Sequence, residues 1–225
     1  MTGKIGKTKR GITMQFKNLD SALAYVGGIS TTTKMPCPSY GLSAHQCITG
    51  SRLAKIEGST CSDCYALKGM YGDWNKNVQH AHTQRAESLY KPHWVDAMAF
   101  IITRKKLEYW RWHDSGDIQS LQHLLNIVSV AEKCPGTKFW MPTREKKFIF
   151  QYLEAFGDFP KNLIVRVSAT MMDSPPSKEF KNTSTVHRDK KPIGFACLSS
   201  KQDGKCLDCR ECWNPKRKNV SYAYH

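Results

Sequence analysis

Between residues 107 and 170 the apolar rhythm of the chain keeps changing period, and this alternation limits the possible folds more than any other feature. "LEYWRWHD" reads as a short strand. "IQSLQHLLNIVSVAEK" follows as an amphipathic helix with Ile118, Leu121, Leu125 and Val128 on one stripe. "KFWM" is again a strand, "REKKFIFQYLEAF" a helix, and "NLIVRVSA" a nearly continuous apolar strand of the kind buried on both faces of a parallel sheet. Strand, helix, strand, helix, strand is the signature of an α/β fold. We expect a (β/α) barrel-like architecture, a reduced or irregular TIM-type barrel. Ligands in such folds bind where the carboxyl ends of the strands gather. That edge would carry His113 and Asp114, then Pro142-Thr143-Arg144, then Ser168.

The remaining sequence is less periodic. Residues 1–17 are Lys-rich and read as a flexible or edge segment able to touch phosphate. A first helix is expected from Asn18 to Val26, closed by Gly27-Gly28, and a helical stretch from Asn75 to about Lys106 is interrupted at Pro92, which suits the first turn of a second helix. Residues 29–73 form an irregular insertion with four cysteines that needs an external staple. Residues 173–192 are polar, basic and Pro-containing, and read as an exposed loop or a DNA-facing flap. The expected division is a catalytic barrel over 1–195 and a zinc-binding segment over 196–225. There is no internal repeat.

With 225 residues and 40% apolar content the chain can bury a real core. Its 34 Lys and Arg against 19 Asp and Glu leave +15, which suits a polyanionic partner, nucleic acid first. A basic surface without a partner is the plain alternative. No apolar run is long enough to span a membrane, and the N-terminus lacks the apolar stretch of a secretory signal, so a soluble, cytoplasmic protein is expected.

Nine cysteines are many for a reducing compartment, where clustered ones point to metal. "CLDCRECW" puts Cys206, Cys209 and Cys212 at a spacing that turns successive thiolates toward one ion; Cys197 or His225 would supply the fourth ligand, with His225 favoured. Such a zinc site would be structural, since protein donors fill its coordination. Cys37, Cys47, Cys61 and Cys64 could hold a second metal or an iron–sulfur cluster, or be small core residues.

"RWHDSGDIQSL", residues 111–121, concentrates polar chemistry at the end of the first predicted strand. Gly116 permits a tight turn. Asp117 would either cap the helix expected to begin near Ile118 or act with Asp114 as a catalytic pair. His113 could tune a carboxylate or contact phosphate, and is otherwise packing.

"HDSGDIQSL" resembles a motif of the queuine tRNA-guanine transglycosylase family, and "CLDCRECW" with His225 is similar to that family's zinc site. With "CYALKG" added, the pattern resembles more closely the small phage DNA-guanine transglycosylases. This resemblance implies base exchange in DNA: guanine would be replaced by a 7-deazaguanine such as 7-cyano-7-deazaguanine through a covalent Asp-glycosyl intermediate, a modification that could evade restriction. It implies Asp114 as the motif aspartate, Ser115 and Gly116 as its turn, and Gln119 as its glutamine. "MPTR" is similar to the family's Pro-Thr-Arg segment, but the nucleophilic aspartate four residues ahead of the proline is Lys138 here. Asp117 and then Asp173 are the candidates for the missing carboxylate. Trp140, among the strand aromatics Tyr109, Trp110 and Trp112, could stack an extruded base, and Arg144 or Lys68 could hold base or phosphate. Two competitors stand beside this reading. One is an iron–sulfur or radical-type enzyme on a partial barrel, although the CxxxCxxC spacing of S-adenosylmethionine radical chemistry is missing. The other is a zinc-stabilised nucleic-acid-binding protein without catalysis.

Overall fold

The protein is described by a computed structural model over residues 16–224. Its centre is one seven-stranded sheet in which every ladder is parallel, with spatial order β1-β2-β3-β4-β5-β7-β6. The strands are β1 (Ser39–Tyr40), β2 (Tyr109–Trp112), β3 (Lys138–Thr143), β4 (Leu163–Ser168), β5 (Thr183–His187), β6 (Phe195–Ala196) and β7 (Asn219–Ala223). Among the described residues six α-helices accompany them: α1 (Leu19–Val26), α2 (Ile48–Leu53), α3 (Lys76–Ser88), α4 (Trp94–Arg104), α5 (Leu121–Lys133) and α6 (Lys146–Phe156). The α/β class and the parallel order match the expectation and are compatible with a barrel-like wall. β1 and β6 end the ladder, and at Ser39 the free side of β1 exchanges two backbone hydrogen bonds with Ser30. No helix is long and apolar enough to cross a membrane among the described residues.

Period-2 alternation assigns the two faces of the sheet. Trp110, Trp112, Phe139, Met141, Leu163, Val165 and Val167 form one core with Trp94, Met98 and Ile101 of α4, Leu124 and Ile127 of α5, and Ile149 of α6. Trp112 is fully buried between Tyr40, Trp94, Trp110 and Phe139. Burying such large rings supplies most of the driving force on this side. The ladder register puts Arg111, Trp140, Ile164, Val220, Tyr222 and Phe195 on the opposite face. There a second cluster forms around Trp140, Trp213 and Val220, joined by Cys37, Cys197 and Cys212.

Local signals explain the helix ends. Asn18 and Ser21 form a reciprocal capping box at the start of α1. Ser120 accepts from the His123 amide at 3.1 Å and caps α5, so this helix starts at Leu121 and Asp117 is not its cap. Pro92 lies just outside α4, whose cap position is His93. The segment 173–192 is not simply an exposed loop, because it contains β5, whose Thr183, Ser184 and Thr185 are buried between β4 and β7. The expected boundary at 195/196 falls inside β6, and β7 completes the same sheet. Apart from Phe16 and Lys17, the Lys-rich stretch 1–17 lies outside the described residues, as does His225.

One buried cation fastens the C-terminal segment. Arg166 of β4 is fully buried, and its guanidinium donates to the carbonyls of Cys212 (3.0 Å), Glu211 (3.1 Å), Asn214 (2.9 Å), Arg217 (2.8 Å) and Thr183 (3.3 Å). Four of these five contacts from one planar fork meet the backbone of 211–217.

Candidate functional site

The carboxyl ends of β1 and β2 meet at the polar motif. Beyond β2 the chain turns through His113 (φ 57°) and Gly116 (φ 75°). A side chain on Gly116 would stand 2.7 Å from Leu42 Cβ and 2.8 Å from Leu42 O, so this position needs glycine for space as well as for its left-handed backbone. The turn is buckled onto the strand-exit loop: Leu42 N donates to Ser115 O at 2.9 Å and Ser115 Oγ donates to Leu42 O at 2.7 Å. Ser115 and Gly116 thus hold two strand ends together.

Asp114 is 2% exposed. Its Oδ2 accepts from the Tyr71 hydroxyl at 2.8 Å, its backbone carbonyl accepts from the Tyr65 hydroxyl, and its Oδ1 has no hydrogen-bond partner. Burial and then the Asp114 charge push the Tyr71 phenol up, so Tyr71 stays a donor. Arg111 lies within electrostatic reach of the carboxylate. Sequence reasoning missed Tyr65, Tyr71 and Arg111; the two tyrosines belong to the "CYALKGMYGDW" stretch, whose tyrosine spacing has no meaning until the loop folds over Asp114.

The other two carboxylate candidates are saturated. Asp117 accepts from the Ile118 amide (2.8 Å), Thr143 Oγ1 (2.6 Å) and the Arg144 amide (2.8 Å), which ties the ends of β2 and β3. Burial raises its pKa to about 6 against these hydrogen bonds. Asp173 accepts from the amides of Arg188, Asp189 and Lys190, which lowers its pKa and orders the loop after β5. Gln119 donates to Asp117 O at 2.7 Å. Arg144 Nε donates to Thr60 Oγ1 at 3.0 Å. Trp140 lies away from this rim, stacked under Arg111 (4.7 Å) and against Trp213 (5.2 Å). His113 is buried beside His123 (ring centroids 5.5 Å) with neither ring nitrogen bonded, and burial pushes both histidines down, so both are neutral.

The cysteines sort into groups that the sequence order does not give. Cys47, Cys61 and Cys64 come together in the loop that follows β1, within electrostatic reach of one another and of Asp117 and Arg144. Cys37 leaves this set and joins Cys197, Cys206, Cys209 and Cys212 across the sheet. All nine thiols are free. Among the described residues no three His, Cys, Asp or Glu side chains stand close enough to hold one metal ion. Thiolates on a single tetrahedral zinc are about 3.8 Å apart, from Zn–S bonds of about 2.3 Å. A multi-iron cluster binds each thiolate through a different iron and spreads them more widely. Cys47 Sγ and Cys61 Sγ lie 3.5 and 3.7 Å from the point where a Cβ on Gly50 would stand, so their separation cannot exceed the sum of those distances. The missing side chain at Gly50 leaves the space between these two thiols open.

No curated protein and no solved structure matches this chain. A family model described as "Gene product 88" matches residues 2–219, nearly the whole sequence, and the chain therefore belongs to that family.

Proposed function

We propose that this protein is an iron–sulfur enzyme on an open parallel barrel, with its cluster held by Cys47, Cys61 and Cys64 at the carboxyl edge of the sheet and its substrate handled beside Asp114. The observation that carries this reading is the convergence of three thiols, separated by up to seventeen positions, in the loop directly after β1. That is the edge where parallel sheets bind ligands. Cys47, Cys61 and Cys64 would hold such a cluster, and it would supply one-electron or Lewis-acid chemistry there. The residues of the chain do the rest. Arg144 lowers the cost of thiolate charge at Cys47 and Cys61, opposing the burial that raises both thiols. Tyr71 fixes one carboxylate oxygen of Asp114, and the other is buried without a hydrogen-bond partner. Exposed Arg52, Lys55, Lys68 and Lys76, with Trp74 at 66% and Met70 at 64% exposure, surround the loop and suit an anionic substrate with aromatic bases, which makes nucleic acid the proposed substrate class.

The test is anaerobic purification with iron and sulfide analysis. Stoichiometric iron with a visible absorption bleached by reductant is expected, and Cys61→Ser should lose both. Colourless protein that takes up no iron after reconstitution with iron and sulfide overturns the proposal.

The base-exchanging transglycosylase is the second reading, favoured by the unpaired Oδ1 of Asp114 at a strand end. Glycosyl transfer commonly needs two carboxyl groups, and both Asp117 and Asp173 are occupied by backbone donors. Incubating the protein and Asp114→Ala with labelled guanine or 7-cyano-7-deazaguanine, on duplex DNA and on tRNA, decides it. Incorporation lost in the variant supports exchange; no incorporation on either substrate removes it.

A further inference from the structure

The sheet ends at β1 and β6 without a ladder between them, yet cysteines flank both edges: Cys37 precedes β1 and Cys197 follows β6. The segment 206–212 bridges the gap. Cys206 N donates to Lys34 O at 3.0 Å, and Cys197 N donates to Ser221 O at 2.8 Å, so backbone bonds fix thiols from both edges. Cys206 Sγ lies 3.8 Å from Met35 Sδ, and Cys212 Sγ lies 3.3 Å from the Tyr222 hydroxyl. Cys37, Cys197 and Cys212 share one apolar cluster under Trp140 and Trp213. Cys206 is the hub: Cys37, Cys197, Cys209 and Cys212 are all within its electrostatic reach, and Cys197 also reaches Cys212.

We propose that Cys37, Cys197, Cys206 and Cys212 form a zinc–thiolate centre that joins the two edges of the sheet, closing the barrel through a metal where hydrogen bonds do not. Cys37 is the ligand that sequence spacing does not reveal: it replaces Cys209 of the expected trio, and Cys197 rather than His225 supplies the fourth position. The charge environment supports an anionic centre. Two guanidiniums, Arg111 and Arg166, point into this interior, and neither forms an ion pair among the described residues. Arg111 Nη1 contacts Met35 Sδ at 3.5 Å and its Nε has no partner, while Arg166 spends every donor on carbonyls. Buried charges need compensation. Four thiols that release their protons to solvent on binding one divalent ion leave a net charge of minus two, which adds to the longer-range charge of Asp114 near Arg111 and of Glu211 near Arg166. The thiols as they stand are not drawn in to single-ion distance. Zinc binding therefore has to swing Cys212 off Tyr222 and Cys197 off Ser199, which its thiol meets at 3.2 Å.

Zinc and iron are measured separately in the full-length chain, so this inference can fail while the cluster on Cys47, Cys61 and Cys64 stands, and the reverse. One zinc per chain is expected. Cys37→Ser and Cys197→Ser should lower zinc affinity by about tenfold or more, while His225→Ala and the distant Cys134→Ser leave it unchanged. Retention of zinc by Cys37→Ser, or its loss in His225→Ala, overturns the assignment. Should the serine variants not fold, cobalt substitution of the unaltered protein reads the donor set directly. Thiolate-to-cobalt absorption of a four-sulfur tetrahedral site is expected, and a spectrum with a nitrogen donor, or no cobalt uptake, overturns it.

Discussion

Replacing Arg166 by methionine removes five bonds, four of which hold residues 211–217 against β4 while the fifth goes to Thr183 of β5. Hydrogen bonds from a charged donor are each worth about 1.5–3 kcal/mol, which taken singly would sum to as much as the whole stability of a domain. That sum overstates the effect, because the substitution also removes the desolvation cost of a fully buried cation, several kcal/mol by itself. The residual cost is that of carbonyls left without donors, about 3–5 kcal/mol, a large share of the ordinary margin of about 5–15 kcal/mol. Urea unfolding followed by tryptophan fluorescence should show the midpoint falling with little change in slope. Trp213 should report it well, since its indole donates to Trp110 O at 2.9 Å and it packs on Trp140 and Tyr109. Limited proteolysis should cut first within 205–218. Arg166→Lys keeps the charge but cannot fork to five acceptors, and should fall between the two. A loss below about 1 kcal/mol for Arg166→Met would refute the view that this guanidinium organises the C-terminal segment.

Further outcomes follow from the rim. Gly50→Ala puts a Cβ 2.9 Å from Cys47 Cβ and into the space between two thiols; iron content should fall while the circular dichroism spectrum stays unchanged. Gly116→Ala meets both a left-handed backbone and Leu42, and should cost about 2–4 kcal/mol in chemical denaturation. Asp117 supplies a pH effect of defined sign. Its folded pKa of about 6 stands above the ordinary 3.8, so its stabilising share is complete below the lower value and disappears as pH rises through 6. Stability measured from pH 4 to 6.5 should fall by about 2 kcal/mol more in the protein than in Asp117→Asn; parallel curves would contradict the burial argument. Tyr71→Phe should leave folding nearly intact, costing about 1 kcal/mol, and a larger loss would mean that this hydroxyl braces the loop rather than the carboxylate.

Periodicity carried the reading of β2, α5, β3, α6 and β4, because each buries an apolar face and its composition records that burial. The short or polar strands were not legible. β1 and β6 have two residues each, and β5 and β7 turn Thr183, Thr185, Asn219 and Ser221 inward, where hydrogen bonds such as Asn219 Nδ2 to Thr185 Oγ1 at 2.9 Å replace apolar contact. No hydropathy pattern marks such a strand. The cap of α5 was misjudged for a related reason: Asp117 reaches the amide after it, but its remaining oxygen is claimed by β3, which lies far away in sequence.

The amino-acid order alone determined the α/β class, the strongly basic character, the polar turn at 113–117 and the presence of more cysteines than a core requires. Only the folded chain decided which thiols are neighbours, since that depends on which strand ends lie on the same edge of the sheet. It also decided that Asp117 and Asp173 serve backbone amides while Asp114 keeps a free oxygen, and that Cys37 belongs with the C-terminal cysteines. Side-chain chemistry is local, but proximity comes from the order of strands, and a parallel sheet brings together residues that the linear sequence holds far apart.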